Sequence, residues 1–331
     1  MKLVFCGTPT FAVPTLKALL AADHEIALVV SQPDRPVGRD RELAAPPVKL
    51  AALVAGLKVA QPEKIRNNPE YRARIEAIAP DAIVVVAYGR LIPPWMLALP
   101  RLGCINLHAS LLPRYRGAAP IQWAVAMGET ITGNTTMLLE EGLDTGPILL
   151  QQAVVIAPHQ TAADLFDVLA EGGAPLVVKT LAGLDKGTIQ PKPQNHAGAT
   201  FAPILTRENG RMEFAAHTAT ELKNRWRGFQ PWPGSFTALE GRKLIVHRMD
   251  VADESASQES DLAGLAVSRS ATAELTSTLP GRIHIQDHRL LVACAGNTWL
   301  ELVEVQLEGK RRLAAAEFLR GITLPANASL G

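Results

Sequence analysis

Short apolar runs stopped by glycine, proline and polar residues set the pattern of the first half of the chain. Lys2–Cys6 is β-branched and aromatic and ends at Gly7, and Thr15–Ala22 then has the composition of a helix, which gives the order strand, glycine turn, helix. Ile26–Val30, Asp81–Ala87 and Cys104–Leu107 read as further strands, with helical stretches such as Glu70–Ala79 between them. Strands that are apolar throughout and alternate with helices predict a parallel sheet covered on both faces. After a helical segment at Thr220–Trp226 the pattern changes to short strands separated by turns, at Lys243–Val246, Leu262–Val267, Arg282–Gln286, Arg289–Ala293 and Trp299–Gln306. That change predicts a small β-barrel. Gly187–Thr200 has two prolines, two glycines and little apolar content, so it reads as a linker. The expected layout is a first domain over residues 1–187, a connector over 188–202 and a second domain over 203–331, with a loop at Asp253–Asp261 inside the latter.

Length and composition agree with this layout. A chain of 331 residues is long enough for two cores, and 47% hydrophobic with 20% charged residues is a globular profile. No apolar stretch approaches the roughly 18 residues of a membrane helix, so no membrane partner is expected. Gly7, Pro9, Pro14 and Lys17 interrupt the first apolar run, so a secretory leader is not expected and a cytoplasmic location is. Cys6, Cys104 and Cys294 lie far apart in apolar runs without zinc-type spacing, as small core residues of a reducing compartment do. Basic and acidic residues number 17 and 17 up to Gly187 and 16 and 15 beyond it, so any nucleic-acid partner must be met by local patches.

In a parallel sheet ligands bind beyond the carboxyl ends of the strands. The first such turn, Gly7–Ala12, lacks the Gly-x-Gly-x-x-Gly spacing, and the phosphate-loop motif is absent from the chain, so dinucleotide and nucleoside triphosphate binding lose their main support. The end of the Cys104–Leu107 strand delivers Asn106 and His108 two residues apart, hence onto one face if the strand continues. An amide can donate to a developing oxyanion and an imidazole can move protons near neutral pH; two satisfied polar residues at a strand end would look the same. Downstream, Gly142-Leu143-Asp144-Thr145-Gly146 sets one carboxylate between glycines, either as a loop close to a ligand or as a turn-forming Asp. One carboxylate, one histidine and Cys104 are too few ligands for a metal site, so none is expected.

Asn106-x-His108-x-Ser110-Leu111-Leu112-Pro113 followed by Gly142-Leu143-Asp144-Thr145-Gly146 resembles the signature of folate-dependent formyltransferases. Gly7-Thr8-Pro9 with Phe11-Ala12, the loop Gln32–Arg39 and Gly228–Gly234 resemble the branch of that family that formylates methionine on initiator tRNA. The resemblance implies a Rossmann-like parallel-sheet catalytic domain followed by a smaller OB-like β-barrel that helps to hold tRNA. It implies a catalytic trio of Asn106, His108 and Asp144, a folate site lined by Ser110, Leu111, Leu112 and Pro113, and 10-formyltetrahydrofolate as the formyl donor. The roles expected are Asn106 for the oxyanion, His108 for proton transfer and oxyanion support, and Asp144 for orienting His108 and accepting amine protons.

The same resemblance makes Asp34–Leu50 a tRNA-reading insertion, where Arg35, Arg39 and Arg41 can track phosphates. Asp40 and Glu42 place two acids where the family usually has a basic run, which implies weaker or differently placed contacts there. Lys223, Arg225, Arg227, Arg242, Lys243 and Lys310-Arg311-Arg312 are either phosphate contacts or solvated surface. Gln230 and Ile204 stand where the family more often has Asn and Lys, and Trp226 and Trp232 read as packing residues. A formyltransferase for an amino-sugar nucleotide, or a non-catalytic RNA-binding protein of the same fold, is the alternative; the insertion and the second domain favour tRNA. The near-neutral charge and two-domain layout are compatible with a monomer.

Overall fold

The computed structural model describes residues 1–37, 42–252, 279–325 and 327–331. Chain contacts divide it into two compact units. One comprises Met1–Ala124, Thr130–Pro158 and Ala163–Ile204, the other Val125–Glu129, His159–Ala162 and Leu205–Gly331.

The first unit is built on β1 (Lys2–Gly7), α1 (Val13–Ala21), β2 (Glu25–Val30), the hairpin β3 (Arg35–Val37) and β4 (Glu42–Ala44), and α2 (Pro47–Val54). It continues through β5 (Val59–Ala60), α3 (Pro69–Ile78), β6 (Ala82–Val86), α4 (Pro94–Leu97), β7 (Cys104–His108), α5 (Pro120–Ala126), β8 (Ile131–Leu138), β9 (Ile148–Val155) and α6 (Ala162–Asp185). Seven strands form one sheet in the order β5-β2-β1-β6-β7-β8-β9. Leu3–Cys6 are wholly buried, as expected of an interior parallel strand covered on both faces. Val4, Cys6, Ile83, Val85 and Cys104 pack on one face with Tyr71 and Ile75 of α3 and Met96 of α4. On the other face Asn134 Nδ2 donates to Leu169 O of α6 at 2.8 Å, and the hydroxyls of Thr136 and Thr180 lie 2.8 Å apart.

The sheet is mixed, not parallel throughout, because β8 pairs antiparallel with β7 and β9 antiparallel with β8. The apolar pattern does not announce β8, since its inward residues Asn134, Thr135 and Thr136 are polar and spend their side chains on hydrogen bonds to α6, Ser110 and β9. The Asp34–Leu50 insertion is likewise more structured than a loop: Arg35–Val37 pairs with Glu42–Ala44, and α2 follows.

The second unit opens with α7 (Ala219–Gly228), whose Thr218 and Glu221 form a reciprocal capping box. Then come β10 (Ser235–Leu239), β11 (Arg242–Val251), β12 (Ile283–Gln286), β13 (Arg289–Cys294), β14 (Thr298–Leu307) and β15 (Leu313–Ala314), with a short helix at Ala315–Arg320. The path β10-β11-β14-β13-β12 is antiparallel. Ser329 bridges Arg282 and Leu330 bridges Leu239, so the C-terminal residues join the two edge strands and close the sheet as an OB-like barrel. Alternating Leu244, Val246, Leu300, Leu302 and Val305 fill its core. The strand expected at Leu262–Val267 and the loop at Asp253–Asp261 lie outside the described residues.

Candidate active site

Every residue of β7 is buried, and two of them are polar: Asn106 is 9% exposed and His108 6%. Buried polar groups at the carboxyl end of a sheet strand are costly unless partnered or used. Both side chains line a cavity of about 610 Å³ whose wall includes Phe11, Val85, Leu91, Ile92, Leu139 and Phe166. Residues 87–92 and 139–144 complete it. A space of this size, with an apolar wall and polar residues such as Arg90, Asn106, His108 and Asp144, suits a small organic ligand.

Asp144 reaches this cavity from the loop between β8 and β9, and the path is indirect. The loop leaves beside the start of β7, where Leu139 N donates to Cys104 O at 2.8 Å, yet the Asp144 carboxylate sits 3.7 Å from His108 Nδ1 at the far end of that strand. The chain doubles back along β7, with Asp144 itself in the left-handed region at φ +49°. Gly146 is required at the return, because a Cβ there would lie 1.9 Å from Leu138 O. The same carboxylate oxygen, Oδ2, accepts from Gly117 N at 2.8 Å.

His108 Nε2 lies 2.8 Å from Tyr115 O. A carbonyl only accepts, so Nε2 carries a proton and Nδ1 is the nitrogen that gains or gives one, facing Asp144. Tyr115 is fixed in turn: its φ is +59°, and its N–H donates to Thr200 Oγ1 at 2.9 Å. The structure therefore brings Asn106, His108 and Asp144 to one cavity.

Ser110, Leu111, Leu112 and Pro113 are not among the residues lining that cavity. Ser110 is fully buried and its hydroxyl donates to Arg114 O at 2.6 Å. Thr135 Oγ1 donates to Ser110 O and accepts from Leu112 N, while Gln151 Nε2 donates to Leu112 O. These bonds tie the turn to the sheet and turn its polar groups inward.

Arg35 is exposed on β3, whereas Arg39, Asp40 and Arg41 lie outside the described residues. The base of the hairpin is anchored: Lys49 Nζ donates to both oxygens of Asp34, Gln61 Nε2 donates to Asp34 Oδ1 and Gln32 O, and Arg90 Nε donates to Gln32 Oε1. The Lys49 ammonium and the Gln61 amide hold the Asp34 carboxyl below the usual carboxylate range. Most basic residues singled out in the second domain have protein partners: Lys223 pairs with Asp250, Arg311 with Glu317 and Arg312 with Glu304. Arg225 stacks 5.2 Å over the Phe229 ring, and Arg227 is buried with bonds to Gln160 O and Asn224 Oδ1. Trp226 packs against the barrel core, but Trp232 is 54% exposed and packs less than expected, because it stands in the turn beyond α7.

Sequence reasoning missed Tyr115, Arg116, Gly117 and Gln194, which contact the site residues or the loops that carry them. The run Arg114–Gly117 directly after the Ser-Leu-Leu-Pro segment was the available signal for the first three; Gln194 sits where composition indicates a linker.

Residues 1–181 match the formyl transferase family and residues 204–323 its C-terminal domain. A methionyl-tRNA formyltransferase of Acidobacterium capsulatum is 60% identical over 331 residues, covering all of both chains. One of Koribacter versatilis is 53% identical over 321 residues, covering 97% of this chain and 96% of its own. In fold, the chain is similar to an N-formyltransferase of Helicobacter canadensis solved with folinic acid and dTDP-3-aminofucose, with a TM-score of 0.60, 17% identity and coverage of 91% of this chain and 98% of the other. Full-length identity at this level, over both matched domains, means that the chain belongs to the methionyl-tRNA formyltransferase family.

Proposed function

We propose that the protein transfers the formyl group of 10-formyltetrahydrofolate to the α-amino group of methionine esterified to initiator tRNA. The observation that carries this reading is the convergence of Asn106, His108 and Asp144 on one largely apolar cavity, with the carboxylate 3.7 Å from His108 Nδ1. Bound in that cavity, the folate supplies the formyl carbon as electrophile. Its apolar walls suit a pterin face, and its polar lining residues suit a heterocycle edge. The Ser110–Pro113 turn serves the folate site from behind that wall, fixing the path from His108 to Tyr115.

Asn106 donates an amide N–H to the formyl oxygen as that oxygen gains charge. As the methionine amine attacks the formyl carbon, His108 takes the amine proton at Nδ1. The imidazolium so formed lies beside the Asp144 carboxylate, which stabilises it and orients the ring. Because both side chains are mostly buried, this attraction is stronger than at an open surface. The proton passes on to the folate nitrogen as its bond to the formyl carbon breaks and tetrahydrofolate leaves. Residues 1–187 form the catalytic part, 188–202 the connector and 203–331 the barrel that helps to hold tRNA. Arg35, Arg39 and Arg41 contact the tRNA backbone.

The test is transfer of radiolabelled formyl from 10-formyltetrahydrofolate, with methionyl initiator tRNA, free methionine and an amino-sugar nucleotide as parallel acceptors. Label on the tRNA alone is expected; label on the sugar, or on no acceptor, refutes the reading.

A further inference from the structure

We propose that Gln194 is a positioning residue that staples the Asp144 loop into its working geometry, so that the segment between the two matched domains is part of the catalytic apparatus and not only a connection. The inference rests on the formyl-transfer reading of the site and extends it to a residue outside the trio. Gln194 is 6% exposed, and its side chain is fully engaged. Its Nε2 donates to Asp144 O at 2.9 Å and to Gly146 O at 2.7 Å, one proton to each of two carbonyls on the same loop. Its Oε1 accepts from Arg116 Nε at 3.1 Å and Nη2 at 2.6 Å.

A guanidinium only donates, so Arg116 determines which end of the amide is oxygen and turns the amino group onto the loop. Arg116 is 4% exposed and is itself pinned: its N–H donates to Thr200 O at 2.9 Å, its carbonyl accepts from Ala202 N at 2.7 Å, and His196 Nδ1 lies 3.2 Å from Nη2. The strap from Gln194 to Ala202 thus reaches both partners of the catalytic pair. Through Thr200 and Tyr115 it fixes the carbonyl against His108, and through the Gln194 amide it fixes the backbone of Asp144.

The need for such a staple follows from the loop's course. Asp144 has a left-handed backbone on a loop that doubles back along β7, and the Gln194 amide satisfies the carbonyl of buried Gly146 together with that of Asp144. Releasing them lets the carboxylate drift from His108, and displacements of about 1 Å in a catalytic group cost about 10²-fold in rate.

Gln194→Glu separates this role from a merely structural one. Its carboxylate still pairs with Arg116, so the buried guanidinium keeps a partner, but its oxygens meet the two loop carbonyls without a proton to donate. Single-turnover formyl transfer should fall by about 10²-fold with both KM values within about threefold of wild type. Amide exchange at Gly117, whose N–H is held by Asp144, should accelerate. In an Asp144→Ala background the same change should cause no further loss, because the two residues act on one feature. Wild-type transfer by Gln194→Glu, or an equal fold-loss in the Asp144→Ala background, would overturn the proposal. Should that variant fail to fold, Gln194→Asn, which keeps both amide functions on a shorter arm, is read by the same two criteria. A wild-type protein that formylates no acceptor would refute the functional reading instead, and the Gly117 exchange comparison would still decide whether the staple holds Asp144.

Discussion

Gly117→Ala isolates the contact that joins the His108 turn to Asp144. Gly117 has φ +121°, and an added Cβ would lie 2.6 Å from Ala202 O. That oxygen cannot yield cheaply, because it accepts from Ala119 N at 3.1 Å and belongs to the strap bonded to Arg116. A side chain forced into such backbone space costs about 1–3 kcal/mol. Displacing the Gly117 amide from the Asp144 carboxylate forfeits a hydrogen bond to a charged group, about 1.5–3 kcal/mol. Together the loss is on the order of 3–5 kcal/mol, which in a unit of this size lowers Tm by about 6–20 °C. Gly56→Ala is the control: its φ is +70° but nothing lies within 4 Å of the added Cβ, so only the backbone term of about 1–2 kcal/mol, or about 2–8 °C, should appear. Calorimetric melting of the two variants, with single-turnover formyl transfer alongside, measures the difference. Gly117→Ala should also lose about 10–10²-fold in rate while Gly56→Ala loses none. Melting temperatures of the two variants within about 2 °C of each other would show that the Ala202 and Asp144 contacts do not constrain Gly117.

Asn106→Ala should lower kcat by roughly 10²–10³-fold, the cost of one oxyanion donor; near-normal single-turnover transfer would remove that role. The Asp81 carboxyl accepts from Lys2 N at 2.8 Å and from Arg101 Nε at 2.7 Å, and these bonds hold its pKa below the ordinary value. A carboxyl depressed in the folded state contributes stability above its unfolded pKa and loses it as pH falls through the folded one. The gap in urea midpoint between wild type and Asp81→Asn should therefore be constant near neutrality and shrink below about pH 4; a gap unchanged into acid refutes the linkage. Burial pushes the Cys104 and Cys294 thiols up to about 12 and raises Cys6 as well. An aromatic disulfide reagent at pH 8 should leave all three unreacted in the native protein and titrate three after denaturation, and prompt reaction of any one under native conditions would contradict its burial.

What could be read from the sequence follows from what each signal depends on. Strands β1, β2, β6 and β7 are continuous apolar runs, so burial on both faces is written into their composition. Asn106 and His108 share a face because the strand repeat is two, a purely local rule that the structure obeys. Strand β8 escaped because most of its buried side chains, Thr132, Asn134, Thr135 and Thr136, are polar, and several of their partners lie far off in the chain, on α6 and β9. The pairing of His108 with Asp144 depends on a loop that travels the length of β7 and returns, and no local pattern encodes that return. Composition misdirected the reading most at residues 187–200. Proline and glycine there suggested slack chain, but Pro191 and Pro193 flank Lys192, which exchanges two backbone hydrogen bonds of 2.8 Å with Ile148, so the prolines favour the extended backbone that such a bridge needs. One residue on, Gln194 enters the core and meets Asp144, Gly146 and Arg116 at once. A segment that looks dispensable by composition is thereby bonded directly to Asp144 and, through Tyr115, to His108, and shortening it should disturb catalysis before it disturbs the connection between domains.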